Sequence, residues 1–319
     1  MSDIGSEHAP QKRIDEATGT ETMGHEWDGI EELNTPLPRW WLLTFYACIL
    51  FAVGYVIAYP AIPGLHKAST GMLGWTSRGQ LASDTAAAQL AQKPVLDALA
   101  ATPIEDLPKN ADLMRSAIAG GHAAFKVNCA PCHGSGAAGG IGYPNLNDDD
   151  WLWGGTLTDI QTTITHGIRY PGDPDTRMSQ MPSFGRDKIL TADQVADAAS
   201  FVRSRSGLES ASLPAAARGA AIFAANCAVC HGPDAKGSRM VGAPNLADHI
   251  WLYGGEREQV INSITNAHAG VMPAWGQRLS PVTIKMLTAY VHSLGGGEGF
   301  TPSTAPTVAS AAASATTAP

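Results

Sequence analysis

Two pentads constrain this chain more than any other feature: Cys129-Ala-Pro-Cys132-His133 and Cys227-Ala-Val-Cys230-His231. In each, two thiols stand one helical turn apart and a histidine follows directly. That spacing suits addition of both sulfurs to the two vinyl groups on one edge of a porphyrin, with the imidazole turned towards the iron. A zinc ribbon sets its C-x-x-C pairs about 15–20 residues apart, whereas 94 residues separate Cys132 from Cys227. A thioredoxin-type dithiol needs βαβ surroundings, and neither pentad has them. The pentads therefore predict two covalently bound haem c groups, one on Cys129 and Cys132 and one on Cys227 and Cys230. His133 and His231 are the predicted iron ligands. The fifth cysteine, Cys48, lies in an apolar run and suits a small hydrophobic role.

The chain repeats itself at about one hundred residues. Gly121-x-x-x-Phe125-x-x-x-Cys129 returns as Gly219-x-x-x-Phe223-x-x-x-Cys227, and Pro144-Asn-Leu146 as Pro244-Asn-Leu246. Trp151-Leu-Trp-Gly-Gly155 returns as Trp251-Leu-Tyr-Gly-Gly255, and Met181-Pro182 as Met272-Pro273. The first copy holds about nine extra residues around positions 170–177. Each copy should start with a helix, near Ala111 and Ala215, and close with another. Thr191 and Gln194 predict a capping box, and Ser280-Pro281 an N-cap with proline at the first helical position. Gly207 and Gly295 predict the two ends. An aromatic of the closing helix, Phe201 or Tyr290, is expected to cross the small Gly121 or Gly219 of a leading helix.

Each iron needs a ligand on its other face. Met181 follows His133 by 48 residues and Met272 follows His231 by 41, both in Gly/Pro-containing loops before the closing helix. Their matched placement predicts thioether ligation, which raises a haem potential relative to bis-histidine. Met178, His166 and His268 are the rival ligands. The carbonyls of Pro144 and Pro244 are candidates to fix the rings of His133 and His231, and Trp151 and Trp251 to wall the haems or pack the core.

Residues 40–59 (WWLLTFYACILFAVGYVIAY) carry no charge. At about 1.5 Å per residue they reach roughly 30 Å, the thickness of a bilayer's hydrocarbon core. Aromatics mark both ends, and Pro60 and Pro63 stop the helix. A cleaved signal fits poorly, because an acidic leader with nine acids against three bases precedes the run (residues 1–39). Haem c is attached on the outer face of a bacterial inner membrane, so the leader is expected in the cytoplasm and the rest in the periplasm. The chain holds no Lys/Arg block, which argues against nucleic acid as a partner. Asp148, Asp149 and Asp150 suggest an acidic face that would steer a basic donor, with solvated loop acids as the plainer alternative.

The two repeats resemble class I cytochrome c domains. Over residues 22–297 the chain resembles the dihaem subunit III family (CcoP and FixP) of cbb3-type haem–copper cytochrome c oxidases. The most specific segments are residues 24–41 (GHEWDGIEELNTPLPRWW), 59–63 (YPAIP) and 73–78 (LGWTSR). The resemblance implies an all-α fold with one N-terminal transmembrane helix and two tandem cytochrome c domains. The expected divisions are a leader (1–38), an anchor (39–60), a spacer (61–110), two haem domains (111–208 and 209–298) and a disordered tail (299–319). It implies an electron-transfer subunit without a catalytic centre of its own, in a proton-pumping aerobic respiratory complex. Electrons would pass from a donor cytochrome c to a monohaem c subunit and then to the haem b–copper subunit that reduces oxygen. A small accessory subunit beside the anchor is a further candidate partner. By the same resemblance His133 pairs with Met181 and His231 with Met272, while the crossed pairing stays open. The alternative readings are a dihaem cytochrome c peroxidase and a dihaem subunit of another respiratory complex.

Overall fold

The computed structural model describes residues 12–66 and 68–298. The expected tail and the first eleven residues lie outside the described residues. Packing divides the chain into two units, Met1–Leu90 and Ala91–Pro319.

In the first unit the expectation of an all-α chain is corrected. Strands β1 (Thr22–Trp27) and β2 (Ile30–Leu33) form an antiparallel hairpin in the leader, with Trp27 opposite Ile30. The reversal at Asp28-Gly29 has φ of 51° and 84°. Two successive left-handed residues match the right-handed twist of the strands, and Asp-Gly is a favoured pair for this turn. Arg13 braces the hairpin with an ion pair to Glu31 (2.7 Å). Helix α1 (Arg39–Ala58) coincides with the predicted anchor; it has a hydropathy of 2.1 and no buried residue. It is long and apolar enough to cross a membrane, and without buried positions it is no core helix of a soluble fold. The N–H groups of Met72 and Leu73 donate to the carbonyls of Ile57 and Ala58 (2.9 and 3.0 Å), satisfying acceptors that a helix end leaves open. Gly71 permits this return, since a Cβ there would collide with the Ala58–Tyr59 backbone.

Helix α2 (Ser77–Ala101) runs from the first unit into the second, where a 3₁₀ turn (Ile104–Lys109) follows. The second unit then contains α3 (Ala111–Asn128), α4 (Ala130–His133), α5 (Leu157–His166) and α6 (Ala192–Arg205). The second copy follows as α7 (Pro214–Asn226), α8 (Ala228–His231), α9 (Arg257–Asn266) and α10 (Pro281–His292). Start signals read as expected: Thr191 and Gln194 form a reciprocal capping box, and Ser280 caps α10 with Pro281 at its first position. Gly207 takes φ +75° beyond α6. Gly295 does not play that part; its lack of a Cβ instead admits the Asn147 carbonyl.

The pairing of helices departs from two sequence-contiguous domains. The closing helix of each copy packs on the leading helix of the other: α6 on α7 and α10 on α3. The glycine–aromatic crossings are real but exchanged. A Cβ on Gly219 would meet the Phe201 Cβ at 2.8 Å, and one on Gly121 the Tyr290 Cβ at 2.7 Å. The loops before the closing helices are exchanged too. Phe184 and Gly185 donate N–H bonds to Ile264 and Thr265 of α9 (3.1 and 3.2 Å). Reciprocally, Trp275 and Gly276 donate to Ile164 and Thr165 of α5 (3.0 and 2.9 Å). By packing, α3–α5 group with α10 (half A), and α7–α9 group with α6 (half B). A short α6–α7 connection of eight residues makes those helices antiparallel neighbours, which leaves α3 to be covered by α10. The spacer seals half A. Leu99, Ile104 and Leu107 are buried with Leu113, Ala117 and Ala289, and the Lys285 ammonium donates to the Leu99 and Thr102 carbonyls at the end of α2.

Candidate haem sites

Each pentad begins at the last turn of a leading helix, because Cys129 and Cys227 are the C-caps of α3 and α7. The four-residue helices α4 and α8 then bring the second thiol and the histidine around on one turn. None of the four pentad cysteines pairs in a disulfide among the described residues. Burial pushes the Cys129 and Cys227 thiols up to about 11, with Cys132 and Cys230 adding to the effect. The same burial holds His133 and His231 below the usual imidazole range, against an opposing hydrogen bond. That bond is the one expected: Nδ1 of His133 donates to the Pro144 carbonyl (3.2 Å) and Nδ1 of His231 to that of Pro244 (3.1 Å). A carbonyl can only accept, so the proton sits on Nδ1. Neutral rings in this tautomer leave Nε2 as the donor atom for a metal.

The methionines fall on the opposite side of the exchange. Met272 packs against Phe125, Ile160, Ile164 and Leu287, the cluster that Cys129 and Trp151 also border. Met181 packs against Phe184, Val195, Phe223 and Val260, the cluster bordered by Cys227 and Trp251. Packing therefore sets Met272 in the half that holds His133, and Met181 in the half that holds His231. The rival ligands are engaged elsewhere. Met178 is 68% exposed. His166 faces the Asp173 carboxylate through Nδ1 (3.2 Å), and His268 stacks on Tyr253 at 3.7 Å.

One atom bears directly on whether a haem fits. Among the described residues Trp251 Nε1 is buried without a hydrogen-bond partner, whereas its counterpart Trp151 donates to the Gly296 carbonyl (2.7 Å). An orphaned buried N–H is costly, and an anionic edge of a group seated between Trp251 and Cys227 would satisfy it. With two thiols, a neutral imidazole and an apolar wall in each half, the residues fit a covalently held haem.

Sequence reasoning overlooked the second aromatic of the W-L-W/Y-G-G motif. Trp153 lies against Gly242 and under the Arg177 guanidinium (5.5 Å), while Tyr253 lies over Gly142, whose N–H donates to Leu252. Each copy thus covers a glycine of the other. The signal was present as paired landmarks, Gly142/Gly242 and Trp153/Tyr253, but a repeat does not state which copy meets which. In the acidic run Asp148 and Asp150 are half-buried and Asp149 is exposed, and Asp149 and Asp150 line a cleft of about 540 Å³ with Asp248, Lys236 and Arg239. Burial, reinforced by Asp248, Asp148 and Asp149 and opposed by Arg239, pushes Asp150 up to about 6. A carboxyl raised on folding favours the fold while protonated, and that contribution disappears as pH rises through about 6. Asp150→Asn should therefore raise the melting temperature at about pH 8 and change it little near pH 4. A pH-independent change in detergent thermal melts would contradict this.

Two family models match the chain. A family model described as "Cytochrome C oxidase, cbb3-type, subunit III" matches residues 116–202 and 214–291. The model "N-terminal domain of cytochrome oxidase-cbb3, FixP" matches residues 19–66. The chain belongs to the cbb3-type cytochrome c oxidase subunit III family. Among its relatives, a cbb3-type cytochrome c oxidase subunit FixP of Azorhizobium caulinodans is 54% identical, covering 92% of this chain and 98% of that protein. FixP of Rhizobium meliloti is 52% identical over 90% and 98%. Subunit CcoP of Cereibacter sphaeroides is 49% identical over 87% and 95%. The chain is accordingly an electron-transfer subunit of a cbb3-type oxidase, a family that implies c-type haem and further oxidase subunits. With α1, this identity fits a membrane-anchored protein. It also takes the oxidase reading over the dihaem peroxidase.

Proposed function

We propose that this subunit carries two haem c groups, on Cys129/Cys132 and Cys227/Cys230, with the axial pairs His133/Met272 and His231/Met181. Through them it relays electrons from a donor cytochrome c towards the monohaem c subunit and the haem b–copper subunit. The observation that carries this reading is the reciprocal seating of each methionine loop on the other copy's α5 or α9. A bound haem supplies a reversible one-electron couple, and thioether ligation raises its potential. The chain's own residues do the rest. The thiols would hold the group covalently, Pro144 and Pro244 lock the histidine tautomers, and the clusters around Phe125 and Phe223 exclude water. With a histidine and a methionine of each half both held as ligands, a bound haem would keep no position for oxygen or peroxide, which favours electron transfer alone.

The same reading puts α1 across a bacterial inner membrane, the leader in the cytoplasm and both haem halves in the periplasm, where haem c is attached. The chain purified in detergent should hold two haems by pyridine haemochrome assay. Its oxidised form should show the near-infrared sulfur-to-iron charge-transfer band, and its reduced form should not bind carbon monoxide. One haem per chain, or ready carbon monoxide binding, would overturn the proposal.

A further inference from the structure

The two methionine loops meet at Arg169. Ile168 and Met272 exchange N–H···O bonds in both directions, each 3.0 Å, as a short antiparallel bridge. Arg169 stands next to that bridge with φ +50°, and its own N–H donates to the Arg177 carbonyl (2.9 Å). Its guanidinium then forks. Nε donates to the Gly270 carbonyl (2.7 Å), two residues before Met272. Nη1 donates to the Ser179 carbonyl (3.1 Å), two residues before Met181. A planar group with donors in fixed directions can hold two carbonyls at once in a way that a lysine ammonium cannot reproduce. The side chain is half-buried, and burial pulls its pKa down, opposed by Tyr253. A desolvated guanidinium stays charged, so it is bound to acceptors it cannot release cheaply. The left-handed backbone adds strain that an ordinary loop residue would relax.

We propose that Arg169 is a positioning residue shared by both sites, tying the Met181 and Met272 loops into one unit so that neither thioether leaves its haem independently. This rests on the crossed ligand assignment above. A residue that served its own copy alone would affect only one methionine. Arg169 reaches both because the exchange brings the two loops to the same place.

The test uses the full chain in detergent. Arg169→Gln deletes the fork, and Arg169→Gly deletes it while relaxing the positive φ, so a folding failure of the first variant is answered by the second. Arg218→Gln, which breaks an exposed pair with Asp197 (2.6 Å), is the control. The near-infrared sulfur-to-iron band should be lost at both haems, with both potentials falling, and the reduced protein should bind carbon monoxide. Backbone amide exchange should quicken in both loops, at Met272 and around Met181, and the control should change none of these. Bands and exchange rates that stay as in the unaltered chain, or change at one site only, would overturn the proposal. An unaltered chain without the bands would instead sink the ligand assignment itself.

Discussion

A chain ending at Gly207, where a sequence-contiguous first haem domain would close, should fail to fold and to take up haem at its intact pentad. Such a truncation keeps α3, α4, α5 and α6 but removes α10, the helix that covers α3. Ile284, Leu287 and Val291 are 3%, 0% and 6% exposed against the Phe125 cluster. Burying three such side chains contributes roughly 5–9 kcal/mol, comparable to the whole net stability of a domain at about 5–15 kcal/mol. The loss is doubled in kind, because α6 simultaneously loses α7 and exposes Val195, Ala198 and Val202. Protease resistance and a cooperative melt of the 1–207 chain would refute the exchanged packing. Its absence, beside a stable 1–298 chain, is the expected result.

Replacing Met272 by leucine should abolish the near-infrared sulfur-to-iron band of the haem on the first pentad and leave the second untouched. The two haems are separated for this purpose by Cys227→Ala with Cys230→Ala, which leaves haem on Cys129 and Cys132 alone. In that background Met272→Leu removes the band and lowers the potential, while Met181→Leu changes neither. A mirror experiment with Cys129→Ala and Cys132→Ala reverses the two outcomes. Met and Leu are close in volume, and such swaps cost less than about 1.5 kcal/mol, so ligation is changed without unfolding the site. Loss of the first haem's band on replacing Met181 would restore the same-copy pairing.

Much of this could be read without coordinates, for reasons that are local. The pentads, the proline carbonyls over the histidines, the Thr191–Gln194 box and the Ser280-Pro281 start depend on residues within a few turns of each other. The anchor depends on length and apolarity alone. The leader hairpin is also legible, through the Asp28-Gly29 turn pair between residues 22–27 and 30–33. Gly121 and Gly219 are legible as crossing points, but which aromatic meets each is not.

The sequence by itself determined what each copy contains: two thiols, a histidine with a fixed tautomer, a methionine loop and a helix to close the pocket. It did not determine whose pocket each loop closes. Duplicated copies carry near-equivalent faces, so α10 meets the same pattern on α3 as on α7, and periodicity cannot choose between them. The tertiary structure decided it through chain connection: the eight residues between α6 and α7 bring those helices together, and α10 is left to complete half A. From that one choice follow the crossed methionines and the arginine that holds both loops.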